Sequence, residues 1–227
     1  MKHNFAIAAA IGIAMLTSCK KEATVDSQSQ GQEGNVVYEL VRDDDNDGGR
    51  TLSHLAFTAG EATISAIKFD ARGDDRLEYS SRTVRTVNLF DAVNTIGALT
   101  IPEGTYNKIK AKIKFESANN HPALQLSGTY LPSSGLPVPI TLTIDRPFEA
   151  KFDIKEPVVI DNNTNLSLLS SIPLGKIDDV LTDNLLNNAT RDGNGNIIIS
   201  STSNTNLYNK LWDIMEDMLH VKVKKNR

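Results

Sequence analysis

The sequence predicts a mainly β fold, an antiparallel β-sandwich with two α-helices packed on it at the C-terminal end, and three observations carry that expectation. Between residues 35 and 172, short runs rich in β-branched and aromatic residues recur between clusters of Gly, Pro, Asn and Asp, the pattern of strands joined by turns. Within one run, Ile109, Ala111, Ile113 and Phe115 alternate with Lys108, Lys110, Lys112 and Lys114, so one face is apolar and the other wet. After residue 173 the apolar period changes from two to that of a helix. Composition agrees. Of 227 residues, 40% are hydrophobic, ordinary for a packed core, and a formal net charge of -4 with both signs interleaved removes the net basic face that a nucleic-acid binder needs. One cysteine and four histidines leave no internal disulfide and no zinc cluster.

Taken in order, the expected strands are NVVYELVR (35–42), EATISAIKF (61–69), RTVRTVNLF (82–90), TYNKIKAKIKFE (105–116), PALQLSGTY (122–130), VPITLTID (138–145) and FEAKFDIK (148–155). In IPEGTY, Pro102 and Gly104 make a turn that delivers Tyr106 into the next strand. The first helix is expected within GKIDDVLTDNLLNNA, where Ile177, Val180, Leu181, Leu185 and Leu186 share a face. RDGNGN is then a turn, with Asp192, Asn194 and Asn196 at alternate positions, and IIIS (197–200) a short strand. The second helix runs through Leu207, Leu211, Ile214, Met215, Met218 and Leu219, is capped by Ser203 or Asn204, and carries Asp213, Glu216 and His220 on its polar face. Trp212 sits at the margin of its apolar stripe. Residues 35–172 are thus expected as the sandwich and 173–227 as a helical extension of the same domain.

The N-terminal residues read as an address. Lys2 and His3 precede an apolar run from Phe5 to Leu16, a charged and then a hydrophobic region, and the run is shorter than the about 20 residues needed to span a bilayer. Leu16-Thr17-Ser18-Cys19 resembles the bacterial lipoprotein box, with a leucine three residues before the cysteine and small residues directly before it. The resemblance implies a signal peptide over 1–18, lipid attachment at Cys19, and tethering of the mature chain to a membrane through acyl chains. Lys20 stands where an aspartate would signal retention at the inner membrane, so the implied destination is the outer membrane. Residues 20–34, KKEATVDSQSQGQEG, lack any apolar period and are expected to be a flexible tether.

From about Glu61 to Asp217 the chain resembles an uncharacterised family of Bacteroidota lipoproteins related in style to transthyretin-like and pilus-associated sandwich domains. The words that carry it are ATISAIKF, VNLF, IPEGTYNKIKAKIKF, PALQLSGTY, PFEAKFDI, VVIDNNTNLSLL and GNIIISSTSNTNLYNKLWDIM. The resemblance implies a transthyretin or immunoglobulin type of sandwich and brings no catalytic residue with it.

Two clusters invite chemistry. Asp43, Asp45 and Asp47, followed by Gly48, match the first half of a calcium loop, but the twelfth position is His54 where an EF-hand needs a bidentate glutamate. Calcium is therefore a candidate ligand, and an acidic turn the plainer account; no cofactor is required. Lys108, Lys110, Lys112 and Lys114 form a candidate face for an anionic glycan or lipid phosphate, or else a solvated stripe paired with acids such as Glu61, Asp70, Glu116 and Asp153. No GxSxG or SxxK motif is present, and His54, His121 and His220 lack the flanks of a metalloprotease helix. The expected function is a non-catalytic binding or assembly module of the cell envelope, meeting a glycan or an envelope protein. Its rivals are a glycan hydrolase using two carboxylates and a structural subunit that docks by strand addition.

Overall fold

The computed structural model describes residues 36–43, 54–91, 94–133, 135–161 and 165–226. Cys19, the tether, Asp45 and Asp47 lie outside the described residues, as does the side chain of Asp43.

The fold is organised by one long strand. After β1 (Val36–Asp43), β2 runs from Leu55 to Arg72, a length possible because two register shifts, at Phe57/Ala59 and Ile64/Ala66, let it bend without losing its partners. Along one edge it pairs first with β4 (Arg85–Asn88) and then with β3 (Arg76–Ser81); along the other it pairs with β8 (Leu124–Tyr130) and then with β7 (Lys108–Phe115). The next layer repeats the division, β9 (Val138–Ile144) beside β8 and β10 (Phe148–Ile154) beside β7. Between β7 and β8 the chain bulges out in a tight turn, with Asn119 and Asn120 at φ 53 and 66 and Ala118 bridged to His121.

The remaining strands complete a twelve-stranded sheet of order β13-β9-β8-β2-β7-β10-β14-β12-β1-β5, with β3 and β4 attached to β2. These are β5 (Asn94–Leu99), β12 (Asn165–Pro173), β13 (Ile197–Ile199) and β14 (His220–Asn226); β6 (Gly104–Tyr106) and β11 (Val158–Ile160) form a separate two-stranded sheet. The sheet curls into a sandwich-like body. Gly97 of β5 faces Ile67 of β2, where an added Cβ would lie 3.1 Å from the isoleucine Cδ1, so the β1/β5 end folds back over the apolar face of β2. One contiguous core results, including Tyr38, Ile64, Ile109, Ile113, Leu142 and Leu168, with Phe115 and Phe148 stacked at 4.7 Å across β7 and β10.

The fold is mainly β, with three helices among the described residues, and several details depart from the sequence reading. The sheet is mixed, since β1 runs parallel to β12, β10 to β14 and β13 to β9. The first expected helix is two short ones, α1 (Leu174–Val180) and α2 (Asp183–Asn187), which still bury Ile177, Leu181 and Leu186. The last helix, α3 (Thr205–Met218), stops before His220, and the chain continues as strand β14 where a helix face was expected. HVKVKKN alternates β-branched and charged residues, a period-two signal too short to stand out beside a helix. At the start of α3, Asn204 occupies the N-cap in a left-handed conformation, φ 48, and bonds away from its own helix. It accepts from the Thr190 N–H at 2.8 Å and donates to the carbonyls of Thr190 at 2.9 Å and Ile198 at 2.8 Å.

Candidate functional site

A groove of about 740 Å³ crosses strands β3, β2, β7 and β10. Each strand contributes three consecutive residues, 78–80, 68–70, 110–112 and 151–153, and the register aligns them in three rows. Because successive side chains point to opposite faces, the central row, Tyr79, Phe69, Ala111 and Phe152, turns toward the core and forms the floor between the flanking rows. The flanking rows are the walls. One is Ser80, Lys68, Lys112 and Lys151; the other is Glu78, Asp70, Lys110 and Asp153. The walls are about 7 Å apart along the strands, and four strands at about 4.8 Å spacing give a length of roughly 14 Å.

The local sequence explains this placement. β7 alternates Ile109, Ala111 and Ile113 with its lysines, and the core takes the first set because burying β-branched side chains is favourable and burying ammonium groups is not. Of the four-lysine stripe, the groove takes Lys110 and Lys112, one in each wall, and leaves Lys108 and Lys114 outside those walls. Acids meet all four: Lys108 and Lys110 lie 3.9 and 3.6 Å from Asp153, Lys112 is 2.8 Å from Glu149, and Lys114 is 2.7 Å from Glu116. The stripe is thus largely a cross-strand paired face.

The acids are firmly held. Burial alone would raise the Asp70 carboxyl, but hydrogen bonds and charge from Arg76 at 2.6 Å and Arg72 at 3.3 Å outweigh it and bring it below its ordinary value. The Lys112 hydrogen bond lowers Glu149 against burial, with Lys151 at 3.0 Å assisting. Lys68 differs: among the described residues it has no ion-pair partner, and it lies directly opposite Lys112. Sequence reasoning named the stripe along β7 but missed Lys68, Lys151 and Glu149, which only strand register brings to it.

The other candidates fall elsewhere. His121 is exposed on the β7–β8 turn, 3.0 Å from Glu61. His54 packs edge-on to Tyr130 and donates from Nε2 to the Leu181 carbonyl at 2.7 Å, pinning the start of β2 to the end of α1. Asp192 accepts from the N–H groups of Asn194 at 2.8 Å and Asn196 at 2.9 Å, the expected turn. Trp212 packs at the core margin, with the Arg146 guanidinium 5.6 Å from its ring. Among the described residues no three His, Cys, Asp or Glu side chains group as a metal site. Both ends of the sheet path are blunted. β13 is three residues long, and at β5 the Ile96 carbonyl is taken by Arg85 at 3.2 Å.

No protein-family model, no curated protein and no solved structure matches this chain.

Proposed function

We propose that this chain is a lipoprotein anchored in the outer membrane through Cys19 and acts in the cell envelope as a non-catalytic binding module, with the groove across β3, β2, β7 and β10 as its ligand face. The observation that carries the binding reading is the groove itself: an open trough in the size range of ligand sites, walled by charged side chains whose positions the sheet fixes. The address rests on Leu16-Thr17-Ser18-Cys19 and the apolar run before it. Kinship with transthyretin-like or pilus-associated sandwiches belongs to the same proposal, supported by the placement of words such as NKIKAKIKF and PALQLSGTY on strands.

Binding is favoured over glycan hydrolysis because a general acid must hold its proton near neutral pH, whereas Arg76 and Arg72 hold the groove's Asp70 below its ordinary value. Docking by strand addition at the two ends of the sheet path is disfavoured by the shortness of β13 and by Arg85 on the Ile96 carbonyl of β5. No cofactor is required; calcium at Asp43, Asp45 and Asp47 is an addition, and if it binds there the melting temperature of the full chain rises in millimolar calcium relative to chelator, while identical melts remove it.

The anchor is tested by Cys19→Ala, which is expected to abolish palmitate labelling and release the protein from membranes. The ligand face is tested by hydrogen exchange of the full chain in neutral detergent, alone and with envelope glycans or envelope protein extracts. Protection is expected at 68–70, 110–112 and 151–153. Ligand-dependent protection confined to any other segment would remove the groove reading.

A further inference from the structure

Strand register sets Lys68, Lys112 and Lys151 side by side on three adjacent strands, on the same face. Like charges directly opposite one another in a sheet are destabilising, so folding alone gives this row no reason to be basic. Glu149 relieves part of it, reaching Lys112 at 2.8 Å and Lys151 at 3.0 Å through the same oxygen, Oε2. Glu149 is thus shared by Lys112 and Lys151, and among the described residues Lys68, beside Lys112 on β2, has no ion-pair partner. The opposite wall is different in kind: Asp70, Lys110 and Asp153 alternate in sign, and Asp70 is already held by Arg76. A ligand that satisfies both walls carries a negative group on one side and neutral hydrogen-bonding groups, donors to carboxylates, on the other.

The floor narrows the choice further. Phe69 and Ala111 are buried on the core side and the half-buried Tyr79 and Phe152 pack against the core, so the alternation of the strands turns these aromatic rings away from the charged face on which a neutral sugar would stack. Recognition there works through charge-assisted hydrogen bonds. A concave trough that also holds Glu78, Asp70 and Asp153 suits a narrow chain better than a flat anionic bilayer, which those carboxylates would repel. Resting on the proposed binding role of this groove, we infer that its ligand is an acidic saccharide: the carboxylate, sulfate or phosphate sits on Lys68, Lys112 and Lys151, and the hydroxyls face Asp70 and Asp153. Lys68 is the specificity-determining residue, because among the described residues its charge is matched by no protein carboxylate, whereas Glu149 meets both Lys112 and Lys151.

The test uses the full chain in neutral detergent, titrated by calorimetry with oligogalacturonate, a sulfated disaccharide and a hexose phosphate, each beside its neutral counterpart, and with inorganic phosphate and anionic vesicles. At least one acidic saccharide is expected to bind and its neutral counterpart not. Lys68→Gln is expected to weaken that binding about tenfold or more with an unchanged melting temperature, whereas Lys114→Gln, on the neighbouring strand β7 but outside the groove, leaves it intact. Salt is expected to weaken it as well. Equal binding of acidic and neutral forms, indifference to Lys68→Gln, or preference for vesicles or free phosphate over every saccharide would overturn the inference. If a neutral ligand still protects 68–70 and 110–112 from exchange, the acidic-saccharide assignment fails and the groove reading stands; if no ligand protects them, both fail.

Discussion

Asp145, just beyond β9, holds α3 to the sheet. It accepts from the buried Tyr208 hydroxyl at 2.5 Å and from the Ser201 hydroxyl, while the neighbouring Arg146 lies 5.1 Å from the Tyr208 ring centroid. Burial first, then the bond to Asp145, raises the Tyr208 phenol from 10.0 to about 12. A phenol whose folded value is raised contributes its full stability below about 10 and loses it as pH climbs toward about 12. For Asp145, burial acts upward but the Ser201 and Tyr208 bonds prevail and lower it, so its contribution is complete above the ordinary carboxylate range and fades as pH falls through the lowered value. Two outcomes follow for urea melts across pH. Tyr208→Phe should be less stable than wild type at pH 7 by about 1 kcal/mol, with the gap narrowing above pH 10. Asp145→Asn should show its deficit at neutral pH and approach wild type in acid; a pH-independent deficit in both would show that Tyr208 and Asp145 act through packing alone.

At the scale of elements, β2 and β8 approach each other closely at Gly128. Gly128 faces the register shift at Phe57/Ala59, and a Cβ there would collide with the Ala56 carbonyl and lie 2.7 Å from the Phe57 Cα, both backbone. Gly128→Ala should therefore cost about 1–3 kcal/mol or more, whereas Gly193→Ala, with nothing within 4 Å, should cost little. Equal melting temperatures for the two variants would refute the close approach. Nothing in LSGTY marks that glycine as special, because the bulge that presses on it lies about seventy residues earlier. Strands with strong alternation, such as β1, β7 and β9, were legible from the sequence. β3 and β5 were not: RLEYSS and NTIGAL are short and weakly patterned, and pairing with β2 and β1 holds them extended. The same limit applied to the groove, whose β7 lysines were visible while the row through Lys68 and Lys151 required the register.

At the scale of the whole molecule, β14 is the joint. β10 and β12 do not pair with each other; β14 lies between them, antiparallel to β12 over seven residue pairs and meeting β10 at Lys151 and His220. Proline at Val221 or Lys222 should separate the two parts of the sheet, since neighbouring N–H groups point to opposite sides and one of the two substitutions must remove a bond to β12. The expected result is a loss of about 1–3 kcal/mol for one of them, with raised hydrogen exchange at Leu168 and Ser170. Retained protection at both residues in both variants would mean that β12 does not depend on this neighbour.

The position of that joint along the chain also bears on biogenesis. Among the described residues thirteen strands precede β14 in sequence, and the strand pairing that joins the β5-β1-β12 block to the β2 layer runs through β14. A chain threading out of a ribosome or a translocation pore therefore cannot close this sheet until residues 220–226 have cleared the exit. Two partly ordered blocks must wait for the last strand, and such late, long-range closure favours slow folding. Under the proposed export to the outer membrane that delay would be useful, because a sheet that could jam the pore stays open until residues 220–226 have passed it.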